Sequence, residues 1–247
     1  MKDAYIERVI SACREVTGNR LEAAWVVGSL ATGDFAAARS DLDLVVVLQT
    51  GVPQEAKAEL AQALDHRMLA CPAHGLDLII YRERVLVGIP RAPEYEFSIS
   101  TGNEWETDVS FGGPYPGGLI DLAASRQTGR SLHGPHPRDL VGAIPEHWIL
   151  EELLASLRWH LDKVHDPFHD PLGSNAVLNA CRALHYLVVG DFVSKSAGAE
   201  WFLRTRSVPV VAEALEGRLH PSRGRLDHTA VRSFLRQAIV DFESGTV

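Results

Sequence analysis

Asp41 and Asp43 stand two residues apart, directly ahead of the run Leu44-Val45-Val46-Val47-Leu48. An unbroken apolar run of this kind suits a strand buried on both faces, and alternation along the strand sends both carboxylates to one side. Two such carboxylates repel each other unless a cation lies between them, and Mg²⁺ carrying a polyphosphate meets that need. Upstream, Gly28-Ser29 ends an apolar segment and opens a short predicted helix. Its free N–H groups and the Ser29 hydroxyl can hold phosphate oxygens. A third carboxylate, Asp77, lies inside the apolar stretch Leu76-Asp77-Leu78-Ile79-Ile80-Tyr81, an unusual place for a charge. If that strand runs beside the first, Asp77 faces the other two. It could then take the proton from an attacking hydroxyl or share a metal with them, with Glu83 just past the strand as the fallback.

The elements that must position these groups can be read along the chain. Helices are expected over 3–16 and 54–69, strands over 21–27, 42–48 and 76–81, and a fourth strand over 95–100. The Gly- and Pro-rich stretch 111–118 reads as loop, 120–128 as helix, and 132–137 as loop again. After Pro145 strand patterns vanish and helical periodicity takes over at 146–164, 175–189, 195–205, 209–216 and 227–242. The expected fold class is therefore α/β (α+β) with a small mixed sheet, followed by an all-α helical bundle, divided as 1–143 and 144–247.

Bulk properties narrow the function. A net charge of −8 argues against a phosphate backbone as partner and favours a small cationic substrate. No apolar run reaches the length of a membrane span, and the N-terminus reads as an amphipathic helix and not a signal peptide. Cys13, Cys71 and Cys181 are scattered, without metal-ligand spacing or a disulfide framework, which suits a reducing cytoplasm. The expectation is a cytoplasmic monomer with neither nucleic acid nor membrane as partner.

In the helical half, Asn175-x-x-Leu178-Asn179-x-x-Arg182 is followed by Ser194-Lys195 and Trp201. Arg182 and Lys195 are cations that could turn toward a triphosphate. Gly28-Ser29 with Asp41-x-Asp43 on the next strand resembles the nucleotidyltransferase signature. Together with this second block, nearly the whole chain resembles the aminoglycoside nucleotidyltransferases, most of all the streptomycin/spectinomycin adenylyltransferase group. The resemblance implies ATP and Mg²⁺ bound between an N-terminal nucleotidyltransferase domain and a C-terminal bundle. A drug hydroxyl would attack the α-phosphorus and pyrophosphate would leave. Gly28, Ser29 and Ser40 would meet the phosphates, Asp41 and Asp43 would ligate Mg²⁺, and Lys195 would steady the triphosphate. Asp77 would be the base, or a metal ligand with the other two. By the same resemblance Trp105 would contact the drug, with Trp159, Asp166 and Asp170 matching the remaining drug contacts; a flat aromatic and carboxylates suit guanidinium and ammonium groups.

The chain departs from the family in places. The base is usually Glu in the streptomycin group, and Asp77 is one methylene shorter. Where the family often has a Tyr near the nucleotide, this chain offers Arg218, which could contact phosphate. Residues 89–115 match poorly. These departures bear on the acceptor more than on the reaction. Two alternatives follow: the same core acting on a protein or nucleic-acid end, or a non-catalytic nucleotide-binding regulator.

Overall fold

The computed structural model describes residues 2–166, 170, 172–219 (of Leu219 the backbone alone) and 224–245. The chain divides into two compact units, 1–144 and 145–247.

In the first unit α1 (Lys2–Thr17), β1 (Leu21–Val26), α2 (Gly28–Ala31), β2 (Leu42–Leu48), α3 (Gln54–Leu64) and β3 (Gly75–Arg82) come first. They are followed by α4 (Glu83–Val87), β4 (Phe97–Gly102), β5 (Asp108–Ser110), α5 (Gly118–Thr128), β6 (Arg130–His133) and α6 (Pro137–Leu140). The strands form one sheet in the order β5-β4-β3-β2-β1-β6. The β2/β3 pair is parallel and joined through α3, and every other neighbouring pair is antiparallel. This is the small mixed sheet expected from sequence.

Alternation sorts the side chains into two cores. Leu42, Leu44, Val46 and Leu48 of β2 join Leu76, Leu78 and Ile80 of β3 beneath α1 and α3. Val45, Val47 and Tyr81 face the other way, toward Leu86, Leu122 and Leu140 of α4, α5 and α6. Asp43 and Asp77 have the parity of this second face.

Three expectations need correction. The helix over 54–69 stops at Leu64. Asp65 is extended there, and its carboxylate accepts the Arg67 N–H at 2.9 Å and the Arg67 guanidinium at 2.8 and 2.7 Å, building a turn instead. The strand expected at 95–100 runs from Phe97 to Gly102. The stretch 132–137, expected to be loop, contributes the end of β6, where Ser131 pairs with Trp25 and His133 with Ala24. That edge strand is mostly exposed, so its hold is the backbone ladder and it carries no apolar alternation to read.

A buried ionic clamp fixes β3 and β4 to α3. Glu96, 8 % exposed, takes Lys57 Nζ at 2.8 Å and Arg82 Nε at 3.1 Å. Removing the shared carboxylate leaves two cations without their partner. Glu96→Ala should therefore lose about 3 kcal/mol of stability, read as a lower urea midpoint.

The second unit contains α7 (Glu146–Lys163), α8 (Ser174–Val189), α9 (Lys195–Thr205), α10 (Pro209–Leu219) and α11 (His228–Ser244). The apolar α8 is central to it, packing on α7, α9, α10 and α11. Among the described residues no helix is long and apolar enough to cross a membrane.

Candidate active site

The parallel pairing of β2 with β3 sets Asp43 directly opposite Asp77, and the β3/β4 register sets Ser100 opposite Asp77. These three side chains form one row across a single face of the sheet. Ser100 donates to the Asp77 carboxylate. Burial pushes the Asp77 carboxyl above the ordinary carboxylate value; the Ser100 bond opposes this, the charge of Asp41 adds to it, and His74 opposes it.

Asp41 precedes β2 rather than lying in it. Its Oδ1 lies 3.0 Å from His74 Nδ1, and His74 Nε2 lies 3.4 Å from Glu104 Oε2. Burial works against a charged His74, but the hydrogen bonds and charges of Asp41 and Glu104 outweigh it and hold the imidazole above its ordinary value. Among the described residues no three His, Cys, Asp or Glu side chains are gathered closely enough to hold a metal as they stand. Asp41 is engaged with His74 instead.

The turn beside this row is built for close approach. Gly28 has φ +60°, and a Cβ there would lie 2.0 Å from Asp43 Oδ2. Only glycine meets both conditions. Val27 N–H donates to the Asp43 carbonyl at 3.0 Å, pinning the turn to β2. The Ser29 Oγ is buried and has no hydrogen-bond partner. Such a hydroxyl is costly unless a ligand or water completes it. Ser40 is buried, and its Oγ accepts the Ala36 N–H at 3.1 Å, closing the loop that leads to Asp41.

Trp105 stands in the same region, its ring centroid 5.0 Å from that of His74. Glu83 does not: β3 continues to Arg82, and Glu83 opens α4, six residues beyond Asp77 and about 20 Å along an extended strand. Sequence reasoning passed over His74, Ser100 and Tyr115. The Tyr115 phenol is pushed up to about 12, by burial first and then by the charges of Asp121, Asp77 and Asp43. A polar alternation at Ser98 and Ser100 was the one available signal for Ser100; His74 and Tyr115 sit in irregular segments without one.

The remaining candidates lie in the second unit, where several have structural duties. Arg182 Nε donates to the Val193 carbonyl at 2.8 Å and Nη1 to Asn179 Oδ1 at 3.2 Å, so the Asn-led motif ties α8 to the loop before α9. Lys195 is the first residue of α9, behind the Ser194 cap whose Oγ accepts the Ala197 N–H. Arg218 lies in the last turn of α10. Trp159 is half exposed on α7, edge-on to His160. Asp166 pairs with Lys163 at 3.8 Å.

Asp170 Oδ2 accepts the Ala176 N–H at 2.8 Å. The cap position of α8 is Gly173, which has no side chain, so Asp170 supplies the capping oxygen from outside. Asp170→Ala should lower stability by about 1 kcal/mol. Asp170→Asn should recover most of it, a contrast that thermal melts would read.

Two family models match the chain: the nucleotidyltransferase domain over residues 6–84, and the C-terminal domain of aminoglycoside adenylyltransferase over residues 139–239. Among solved structures, spectinomycin adenyltransferase AAD(9) from Enterococcus faecialis, crystallised with ATP and spectinomycin, aligns over 98 % of this chain and 100 % of its own. Its TM-score is 0.78 at 16 % identity, a likeness of fold. The tri-AMPylated Shewanella oneidensis HEPN toxin in complex with MNT antitoxin matches 66 % of this chain and 92 % of its own at 15 % identity. Its TM-score is 0.30. No curated protein matches the chain.

Proposed function

We propose, from the matches to the nucleotidyltransferase domain and to the aminoglycoside adenylyltransferase C-terminal domain, that the chain is an aminoglycoside nucleotidyltransferase that transfers the adenylyl group of ATP, with Mg²⁺, to a hydroxyl of an aminoglycoside-like acceptor, releasing pyrophosphate. The observation that carries this reading is the register pairing of Asp43 with Asp77 beside the Gly28-Ser29 turn.

The donors suit a hard divalent cation. Asp41, Asp43 and Asp77 offer only oxygen, and the buried Ser29 hydroxyl is left for a phosphate oxygen. Asp41 and Asp43 would hold Mg²⁺, with Asp41 exchanging its hydrogen bond to His74 for the metal. Mg²⁺ held there would supply charge neutralisation for the triphosphate. The residues do the rest by positioning. Gly28 lets the turn lie against Asp43, and Ser29 fixes a phosphate. Asp77 accepts the proton of the acceptor hydroxyl as the new P–O bond forms and the bond to pyrophosphate breaks. Burial keeps Asp77 more basic than an ordinary carboxylate, which favours that proton transfer. Lys195, Arg182 and Arg218 are the candidate cations for the triphosphate that the family resemblance implies, and Trp105, Glu104 and the acidic balance of the chain favour a cationic acceptor. The reaction belongs in the cytoplasm, where ATP is supplied.

The test is pyrophosphate release from Mg²⁺-ATP by the full chain, with and without streptomycin or spectinomycin. Drug-dependent release is expected. Release only with a cell extract would move the acceptor to a macromolecule, and ATP binding without release under any condition would leave a regulator.

A further inference from the structure

Gly75 and Gly102 face each other across the β3/β4 ladder, one pleat from the Asp77–Ser100 pair and on the same face. Neither has the positive φ that calls for glycine. They close the ladder, Gly75 opening β3 and Gly102 ending β4, at dihedrals that do not call for glycine, so the reason for two glycines lies in what covers them. The reason is Trp105. A Cβ on Gly75 would lie 2.5 Å from Trp105 Cη2 and 2.6 Å from Cζ2, and a Cβ on Gly102 would lie 2.5 and 2.7 Å from the same atoms. The indole therefore rests on bare backbone, at a depth no side chain would permit. Around it, His74 is tilted at 41° to the ring, and Asp41 Oδ1 lies 2.9 Å from the Gly75 Cβ position.

We propose that the Gly75–Gly102 pair is the specificity-determining floor of the acceptor site, two positioning residues that set Trp105 as a low aromatic plate one pleat from Asp77. This inference rests on the adenylyltransferase reading and gives the acceptor a shape. One pleat is about 7 Å along the strand. The acceptor is thus a ring carrying its reactive hydroxyl about 7 Å from a guanidinium or ammonium group, the hydroxyl at Asp77 and the cation over Trp105 beside Glu104. Raising the floor by one methyl lifts or tilts the plate and shortens that span, while the Gly28-Ser29 turn that receives the phosphates is untouched.

Steady-state kinetics of Gly102→Ala test this with streptomycin and spectinomycin as acceptors; Gly102 is chosen over Gly75, whose added methyl would also press on Asp41 Oδ1 at 2.9 Å and so disturb a proposed Mg²⁺ ligand. The wild-type enzyme run alongside separates the two readings: drug-dependent release there upholds the reaction, and only then does the variant speak to the floor. Expected is a rise of about tenfold or more in KM for the drug, with KM for ATP unchanged. Gly102→Ala also brings its methyl within 2.8 Å of the His74 carbonyl, a contact independent of the indole. The decisive measurement is therefore the same substitution in a Trp105→Ala background, where the effect on drug KM should vanish. An unchanged drug KM, an equal loss in both backgrounds, or a parallel loss for ATP would each overturn the proposal.

Discussion

Asp43→Asn is expected to reduce drug-dependent pyrophosphate release by about a thousandfold or more, because on the proposed mechanism it removes a ligand to Mg²⁺ at the reacting phosphate. The substitution is nearly isosteric. The Asp43 side chain lies against Gly28, where only a bare α-carbon fits, so Asn keeps the packing of the turn while halving the oxygen donors and deleting the charge. Folding and the Gly28-Ser29 geometry should survive, which a melt in the absence of Mg²⁺ would read. What should change is the Mg²⁺ concentration needed for ATP binding and the rate of transfer at saturation. The longer Asp43→Glu is the complementary variant: it keeps the charge but drives its carboxylate into the Gly28 backbone, so it should fail by misplacement. A near-normal rate for Asp43→Asn would take Asp43 out of the metal set.

The reason Asp43 could be picked out in advance is that it interrupts an otherwise apolar strand. Charge at a position where burial demands carbon is legible without coordinates, and the same holds for Asp77. That the two lie opposite each other was only a condition in the sequence; it became a fact through the β2/β3 register, which depends on how α3 returns the chain. The central strands and long helices announce themselves because each has a face to bury. Edge strands β5 and β6 do not, being short, polar and held by their neighbours' backbones. Helix α3 ended early on a side-chain turn at Asp65 and Arg67, a local competition that hydropathy does not register. His74 was invisible for a related reason. Its importance comes from Asp41, 33 residues earlier, and from Glu104, 30 residues later, and no spacing rule spans such loops. Asp170 shows the converse. A carboxylate ahead of the Asn-led helix was legible as a candidate, but the absence of a side chain at Gly173 gave it a capping duty in the fold.

Asp77→Asn should separate catalysis from stability in opposite directions. As the proposed base, Asp77 would contribute a factor of about 10²–10⁴ to transfer. The Asn variant should therefore lose turnover on that scale while ATP affinity stays within a few-fold. The stability effect follows from linkage. Burial raises the folded carboxyl above its unfolded value, so the favourable contribution of the neutral form is complete below the unfolded pKa and is lost as pH rises through the folded one. At neutral pH without metal, an ionised Asp77 therefore weighs against the fold. Asn cannot ionise and can still bond Ser100. Asp77→Asn should melt higher than the wild type in EDTA at neutral pH, and the difference should shrink on acidification. Added Mg²⁺ with ATP should raise both melts by similar amounts, because the variant keeps its ATP affinity. If the Asn variant melts lower in EDTA, Asp77 is held by favourable partners and is not a strained base. If ATP binding and transfer fall together, its main work is at the metal. The same burial that makes this aspartate a liability in the resting fold lifts it above an ordinary carboxylate, which would let a side chain one methylene shorter than a glutamate take the proton, provided the acceptor is held close enough to reach it.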